Sequence, residues 1–339
     1  MRCLIAFLFC TTALYAQDAS LIKRQGIEAH LYFLASDALE GRKAGTHNGR
    51  IAAEYIRAEL AEWGVKAFFN DYFQSFEALA PVSSGKKPVY QSNPDSIARI
   101  KQKDVYHVLH LQNVLGIVEG KLRDEYVILG AHYDHLGIDA TLAGDRIYNG
   151  ADDNASGVAA ALQVAKAIAL SGVKPLRSII FAFWDGEEEG CLGSEFFAAT
   201  FKDLPAVKAY INLDMLGRGG VAPVFTPRFS LPPQQEGDEK NLYLYHSELF
   251  ATLGESIASK TAKATPDISV KTKVIGSNTR GSDNYSFAVR DVPVLWFFSG
   301  VTPLYHTPAD EAPSIDYDKL TSVTQCIHLT LLQLANSKN

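Results

Sequence analysis

The sequence predicts an α/β protein: a mostly parallel, mixed β-sheet sandwiched between helices. Two observations carry this expectation. The runs 178–184, 207–213 and 292–298 are almost continuously apolar and of strand length, as in strands buried on both faces. Helical patterns separate such runs, the order expected where helices cover both sides of a sheet.

The chain opens with Met1-Arg2, an apolar stretch over 3–14, and Tyr15-Ala16-Gln17-Asp18. This reads as a secretory signal peptide over 1–16, so the chain is expected to be exported, periplasmic or secreted, with one domain over 17–339. The stretch is shorter than the roughly 20 residues that span a bilayer, and no transmembrane segment is expected further on. Over 26–39 the residues Ile27, Leu31 and Leu34 recur at helical spacing, as do Ala52, Ile56, Leu60 and Trp63 over 49–63. Both segments read as amphipathic helices, with a glycine-punctuated loop, 39–46, between them. Residues 81–105 mix Pro, Ser, Gly and Lys without a period and read as a surface excursion with no assigned function. A second excursion, 225–241, is rich in Pro and Gln and reads as an insertion near whatever the sheet binds. The runs 113–118 and 126–129, joined by a charged turn, suggest neighbouring strands. Val158, Leu162, Ala165 and Ala169 form a helical stripe that ends at Ser171-Gly172. Asp316 can cap a last helix that turns Leu320, Val323, Ile327, Leu331 and Leu334 inward.

Among the 339 residues, 47% are hydrophobic and 21% charged, enough for a large core and too apolar for disorder. A net charge of −6 offers no basic surface to phosphate backbones, so nucleic acid is excluded as a partner and small or peptidic substrates are favoured. Cys3 and Cys10 fall in the leader. That leaves Cys191 and Cys326, too few for a disulfide framework, either as one bridge or as two separate thiols.

In open α/β sheets, ligands sit beyond the carboxyl ends of the strands. Each such position here holds side chains able to bind metal. His132-Tyr133-Asp134 follows one strand, Asp185-Gly186-Glu187-Glu188 follows Trp184, Asp214 follows Leu213, and Tyr305-His306 lies beyond Phe298. Ahead of the Ala-rich helix, Asp152 and Asp153 share a glycine-bounded turn. His132 and Asp134 point the same way in an extended segment, which suits a metal-ligating histidine whose second ring nitrogen is held by an acid. His135 then faces the opposite side and reads as structural. His30, His47, His107, His110, His246 and His328 lack acidic companions and read as surface or core residues. The adjacent Glu187 and Glu188 diverge, so one can bind metal while the other takes a proton from water. Asp185 and Glu189 read as solvated neighbours. Two histidines and three carboxylates, one of them shared, give each of two divalent cations about three protein ligands and leave a place for a common hydroxide, with which the charges balance.

In order and spacing, His132-Tyr133-Asp134, the stretch from Gly150 to Gly157, Trp184-Asp185-Gly186-Glu187-Glu188 with Gly193-Ser194, Asn212-Leu213-Asp214-Met215, and Tyr305-His306-Thr307 resemble the co-catalytic, di-zinc aminopeptidases typified by secreted bacterial leucine aminopeptidases. Glutamate carboxypeptidases and glutaminyl cyclases are relatives of that family. The motifs cover 132–307, and the 39–46 loop extends the likeness over most of the chain. The resemblance implies a zinc-exopeptidase-like (phosphorylase/hydrolase-like) catalytic domain holding two Zn2+. It also implies that His132 and Asp214 complete one site, Glu188 and His306 the other, and that Asp153, not Asp152, bridges them, with a cis peptide between Asp153 and Asn154. Glu187 would be the general base, Tyr305 would steady the tetrahedral intermediate, and Asp283 would lie near the substrate's amino terminus. The implied activity is hydrolysis of peptides that have a free N-terminus. A one-zinc glutaminyl cyclase is the alternative, as is a carboxypeptidase, for which Arg218, Arg228 or Arg280 could receive a carboxylate.

Overall fold

The computed structural model describes residues 19–103, 105–225, 229–230, 237–264 and 268–337. The expected leader, 1–16, and most of the 225–241 insertion lie outside the described residues.

Nine strands form the main sheet: β1 (Lys66–Ala67), β2 (Phe73–Pro81), β3 (Tyr106–Val118), β4 (Leu122–His132), β5 (Arg177–Trp184), β6 (Val207–Asp214), β7 (Asn241–His246), β8 (Ser269–Val274) and β9 (Val294–Phe298). Their spatial order is β1-β3-β5-β4-β6-β9-β7-β8, with β2 also paired to β3. The four central strands β5-β4-β6-β9 run parallel. The flanks are mixed: β3 is antiparallel to β5, and β7 is antiparallel to β9. The runs 113–118 and 126–129 are therefore not neighbours, because β5 lies between them. All eight residues of β5 are buried, and a strand that apolar is most stable at the centre of a covered sheet.

Alternation along the strands builds two cores. Val127, Leu129, Ile179, Phe181, Phe183, Ile211 and Phe297 face one layer. It is made by helices α1 (Arg24–Leu34), α2 (His47–Glu62), α4 (Gly157–Ser171), α6 (Ala251–Ala264) and α8 (Tyr317–Asn336), in an order completed by α3 (Pro94–Ile100), α5 (Leu192–Thr200) and α7 (Asn284–Ala288). Ile128, Ile180, Trp184, Tyr210 and Trp296 face the other layer, where Phe197 of α5 and Phe287 of α7 pack. Truncating one of these fully buried side chains to Ala would cost about 2–5 kcal/mol.

Local chemistry sets the helix ends. Thr46 caps α2 by accepting from Gly49 N, and Asp316 caps α8 by accepting from Lys319 N. Gly172, at φ 67°, stops α4. The first helix ends at Leu34 rather than reaching Leu39. Ser36 Oγ donates to the Phe33 carbonyl, and the chain then turns through left-handed Glu40, Gly41 and Arg42. The excursion over 81–105 folds back onto helix α5: Ser92 Oγ donates to the Leu192 carbonyl at 2.7 Å, and Asn93 Nδ2 to Glu195 at 2.9 Å. No helix of the described residues is long and apolar enough to cross a membrane.

Candidate active site and metal centre

The parallel strands β4, β5 and β6 end side by side, and residues at or just beyond their ends enter one site. Asp214 closes β6 and His132 closes β4, while Glu187 and Glu188 occupy the turn after β5. Asp153 comes from the turn before α4. There Gly150, at φ 58°, is required because a Cβ would stand 2.2 Å from the Asp153 carbonyl. His306 sits in the loop after β9, in the left-handed region at φ 55°, a cost that successive turn bonds from Tyr305 N, Thr307 N and Asp310 N sustain.

These residues form two clusters joined at Asp153. His132 Nε2 lies 3.4 Å from Asp153 Oδ1 and 3.6 Å from Asp214 Oδ1. On the other side, His306 Nε2 lies 3.1 Å from Asp153 Oδ2 and 3.3 Å from Glu188 Oε2. The peptide between Asp153 and Asn154 is cis. Asp152 belongs to neither cluster; its Oδ1 accepts from Gly217 N at 2.7 Å.

Four sequence expectations need correction. His135 is not turned away: its Nδ1 is 2.7 Å from Glu188 Oε1 and 3.9 Å from Asp153 Oδ2, and its donor atom groups with those of Asp153 and Glu188. Strand alternation misleads because β4 stops at His132. Asp134 braces the site differently from the expectation: its main-chain oxygen meets His132 Nδ1 at 3.2 Å, while its carboxylate accepts from the amides of Glu187 and Glu188 at 3.0 and 3.3 Å. Asp185 is buried rather than solvated, accepting from Gln112 N at 3.1 Å. Asp283 has no exposed surface and lines neither the cavity at the clusters nor the adjoining groove. Glu189, also expected to be solvated, keeps some exposure and pairs with Lys43 at 3.1 Å and Lys87 at 3.6 Å.

Two further residues hold the ligand loops, and the motifs assigned a role to neither: Arg42 lies in the 39–46 loop and Asp310 beyond the last motif. Arg42 is fully buried and donates to the carbonyls of Tyr133, Leu34, Asn149, Gly150 and Asp153. Asp310 accepts from Asp152 N at 2.9 Å and from Asp153 N at 3.1 Å, and it pairs with Arg218. Periodicity cannot reveal such residues, since each acts on main-chain groups distant in sequence. Cys191 and Cys326 form no disulfide, and Cys191 Sγ donates to Glu187 Oε1 at 3.4 Å.

The electrostatics call for positive charge. Burial works against the His306 imidazolium, yet Asp153 and Glu188 raise its pKa to about 10. Burial likewise opposes a charged His132, but Glu187, Asp153 and Asp214 hold it well above the usual histidine range. Glu188 is pulled down to about 2 although burial and Asp153 push the other way, because His135 and His306 favour its anion. Asp214 Oδ1 and His306 Nε2 are buried without a hydrogen bond among the described residues. Imidazole nitrogens and carboxylate oxygens, converging in this way, suit zinc.

A model of Peptidase family M28 matches residues 113–331, well over half of the chain. The chain belongs to peptidase family M28. Among curated relatives, this M28 chain is 38% identical over 115 residues to a probable glutamate carboxypeptidase of Zea mays, 32% of the chain and 15% of the relative. A probable zinc metalloprotease of Pyrenophora tritici-repentis is 41% identical over 145 residues, 42% of the chain and 32% of that protein. Leucine aminopeptidase 2 of Trichophyton equinum is 38% identical over 107 residues, 31% of the chain and 19% of that protein. Each alignment thus covers less than a third of the relative's length. Two solved structures share the M28 chain's fold. A zinc aminopeptidase from Bacillus subtilis superposes with a TM-score of 0.65 at 16% identity, covering 94% of this chain and 96% of that one. The Porphyromonas gingivalis glutaminyl cyclase gives 0.63 at 19%, covering 92% and 98%.

Proposed function

We propose that the chain is an exported, zinc-dependent aminopeptidase that binds two Zn2+ and removes the amino-terminal residue of peptides. The observation that carries this reading is the pair of histidine–carboxylate clusters sharing Asp153, with Glu187 and Tyr305 lining the same cavity. His132 and Asp214 would hold one cation, Glu188 with His306 and His135 the other, and Asp153 both. Bound there, the cations would polarise a peptide carbonyl and lower the pKa of water.

Glu187 is half-buried between the clusters and an open groove. It takes the proton from the attacking water and returns it to the leaving amine. Burial, reinforced by Glu188 and Asp283 and opposed by His132, raises its proton affinity well above the usual carboxylate range, so its protonated form is a competent donor. Tyr305 stays protonated because burial and the nearby Asp153 and Glu188 push its pKa well up. Its hydroxyl is the group available to donate to the oxygen that gains charge at the attacked carbonyl. Met215, Trp296, Phe298 and Val301 form an apolar wall beside the clusters. The names carried by the leucine aminopeptidase and zinc metalloprotease relatives support the same reading.

The test is hydrolysis of aminoacyl p-nitroanilides by the zinc-loaded chain, with N-acetylated controls and a chelator. Cleavage of unblocked apolar substrates, lost on chelation, is the expected result. Cleavage of blocked peptides from their carboxyl end would move the assignment to a carboxypeptidase. Ammonia release from peptides with amino-terminal Gln, without peptide cleavage, would move it to a cyclase.

A further inference from the structure

We infer that Arg280 receives a carboxylate of the bound peptide, downstream of the bond being cut, so that peptides carrying an acidic group there are the preferred substrates. The inference rests on the aminopeptidase reading. A groove of about 550 Å³ leads away from the clusters and shares Glu187 and Tyr305 with the inner cavity. With the reacting carbonyl at the clusters, the rest of the peptide has this groove as its way out.

Three arginines bear on which charge the groove accepts. Arg218 is committed to Asp310 and lies 3.8 Å from Asp152. Arg290, in the groove wall, is held by both carboxylate oxygens of Glu195 at 2.6 and 2.9 Å. Arg280 differs: among the described residues its contacts are with Tyr285 alone. Its guanidinium carbon lies 4.6 Å from the ring centroid, and Nη2 donates to the phenol oxygen at 3.2 Å. Stacking on an aromatic ring fixes the plane of a guanidinium, and the single bond to Tyr285 leaves four of the five N–H donors free, enough for two-pronged contact with a carboxylate. The centre beside it is rich in buried carboxylates. In the groove wall Arg290 is neutralised by Glu195, whereas no carboxylate of the described residues pairs with Arg280, which leaves Arg280 as the cation there able to take one from the substrate. The source can be the peptide's own carboxyl terminus or an acidic side chain, and the chemistry at Arg280 is the same.

The test compares matched substrates on the zinc-loaded chain: Leu-Gly against Leu-Gly-amide for the terminal carboxylate, and Leu-Glu-amide against Leu-Gln-amide for the side chain. The parent should favour the acidic member of at least one pair by about tenfold in kcat/KM, the size of one charged hydrogen-bonded contact. Arg280→Ala should erase that preference through KM and leave Leu-p-nitroanilide turnover within about twofold. Arg280→Lys should keep part of it. Calorimetric titration of the slow Glu187→Gln variant with the same pairs reads the preference with turnover suppressed. An unblocked substrate that binds but is never cut would sink the aminopeptidase reading alone. A parent that does not distinguish acid from amide, or an Arg280→Ala variant that weakens both equally, would overturn the role of Arg280.

Discussion

The Arg42 guanidinium donates through Nη2 to the main-chain oxygen of Asp153 at 3.1 Å. Through Nε it donates at 2.8 Å to that of Tyr133, so one buried cation ties the turn bearing Asp153 to the segment leaving β4. Lysine has three donors on a single nitrogen and cannot serve five carbonyls arrayed around a plane. Arg42→Lys is expected to lower zinc affinity by about 10–100-fold, as loss of a bracing group does at other metal sites, and to lower the melting temperature. Isothermal titration with zinc and thermal melting check this; parental affinity would remove Arg42 from the role.

Glu187 accepts from the Cys191 thiol at 3.4 Å and lines the cavity beside His132 and Asp153, but it joins neither candidate ligand cluster. Glu187→Gln should therefore retain the parental zinc content while kcat falls by about 10²–10⁴. Elemental analysis beside steady-state kinetics separates the two effects. A parental rate would show that another group moves the proton.

Asp152 and Asp153 are adjacent and both buried, yet they face different partners. Asp153→Asn should reduce zinc at both clusters, since each draws one oxygen from it. Asp152→Asn should keep the zinc content, because its partners are Gly217 N and Arg218. Zinc counted per chain decides the matter, and equal losses in the two variants would mean the bridge was assigned to the wrong residue.

Two histidines far from the clusters set an acid limit on stability. Burial lowers the pKa of His30 to about 4, with Lys166 contributing, and burial alone lowers that of His328 to about 4. Both are neutral in the folded chain and take up protons more readily when unfolded. The stability they support is therefore fully present above pH 6.5 and lost as the pH falls toward 4, about 3 kcal/mol at most for each. His328→Leu should flatten the fall in unfolding free energy across that window, measured by urea titration at several pH values. An unchanged slope would exclude His328 as a source.

Much of this architecture was legible because apolar runs mark doubly buried strands and because polar side chains that follow such strands gather at one sheet edge. The two-cluster arrangement around Asp153 could be anticipated only through the resemblance of the motifs at 132, 153, 188, 214 and 306 to di-zinc aminopeptidases, since the residues alone left Asp152 and Asp153 open. What escaped was whatever depends on where a strand stops or on which strands pair. His135 escaped because alternation was carried past the end of β4, and the place of β5 between β3 and β4 escaped because hydrophobic runs do not encode order. Arg42 and Asp310 escaped because they act on main-chain groups that carry no side-chain signature.

Asp153 presents Oδ1 to His132 and Oδ2 to His306. A carboxylate divided in this way makes the two clusters thermodynamically linked. A cation held at one would withdraw charge from the oxygen offered to the other, so the first and second binding constants would differ, and by linkage each position would alter its partner by the same factor.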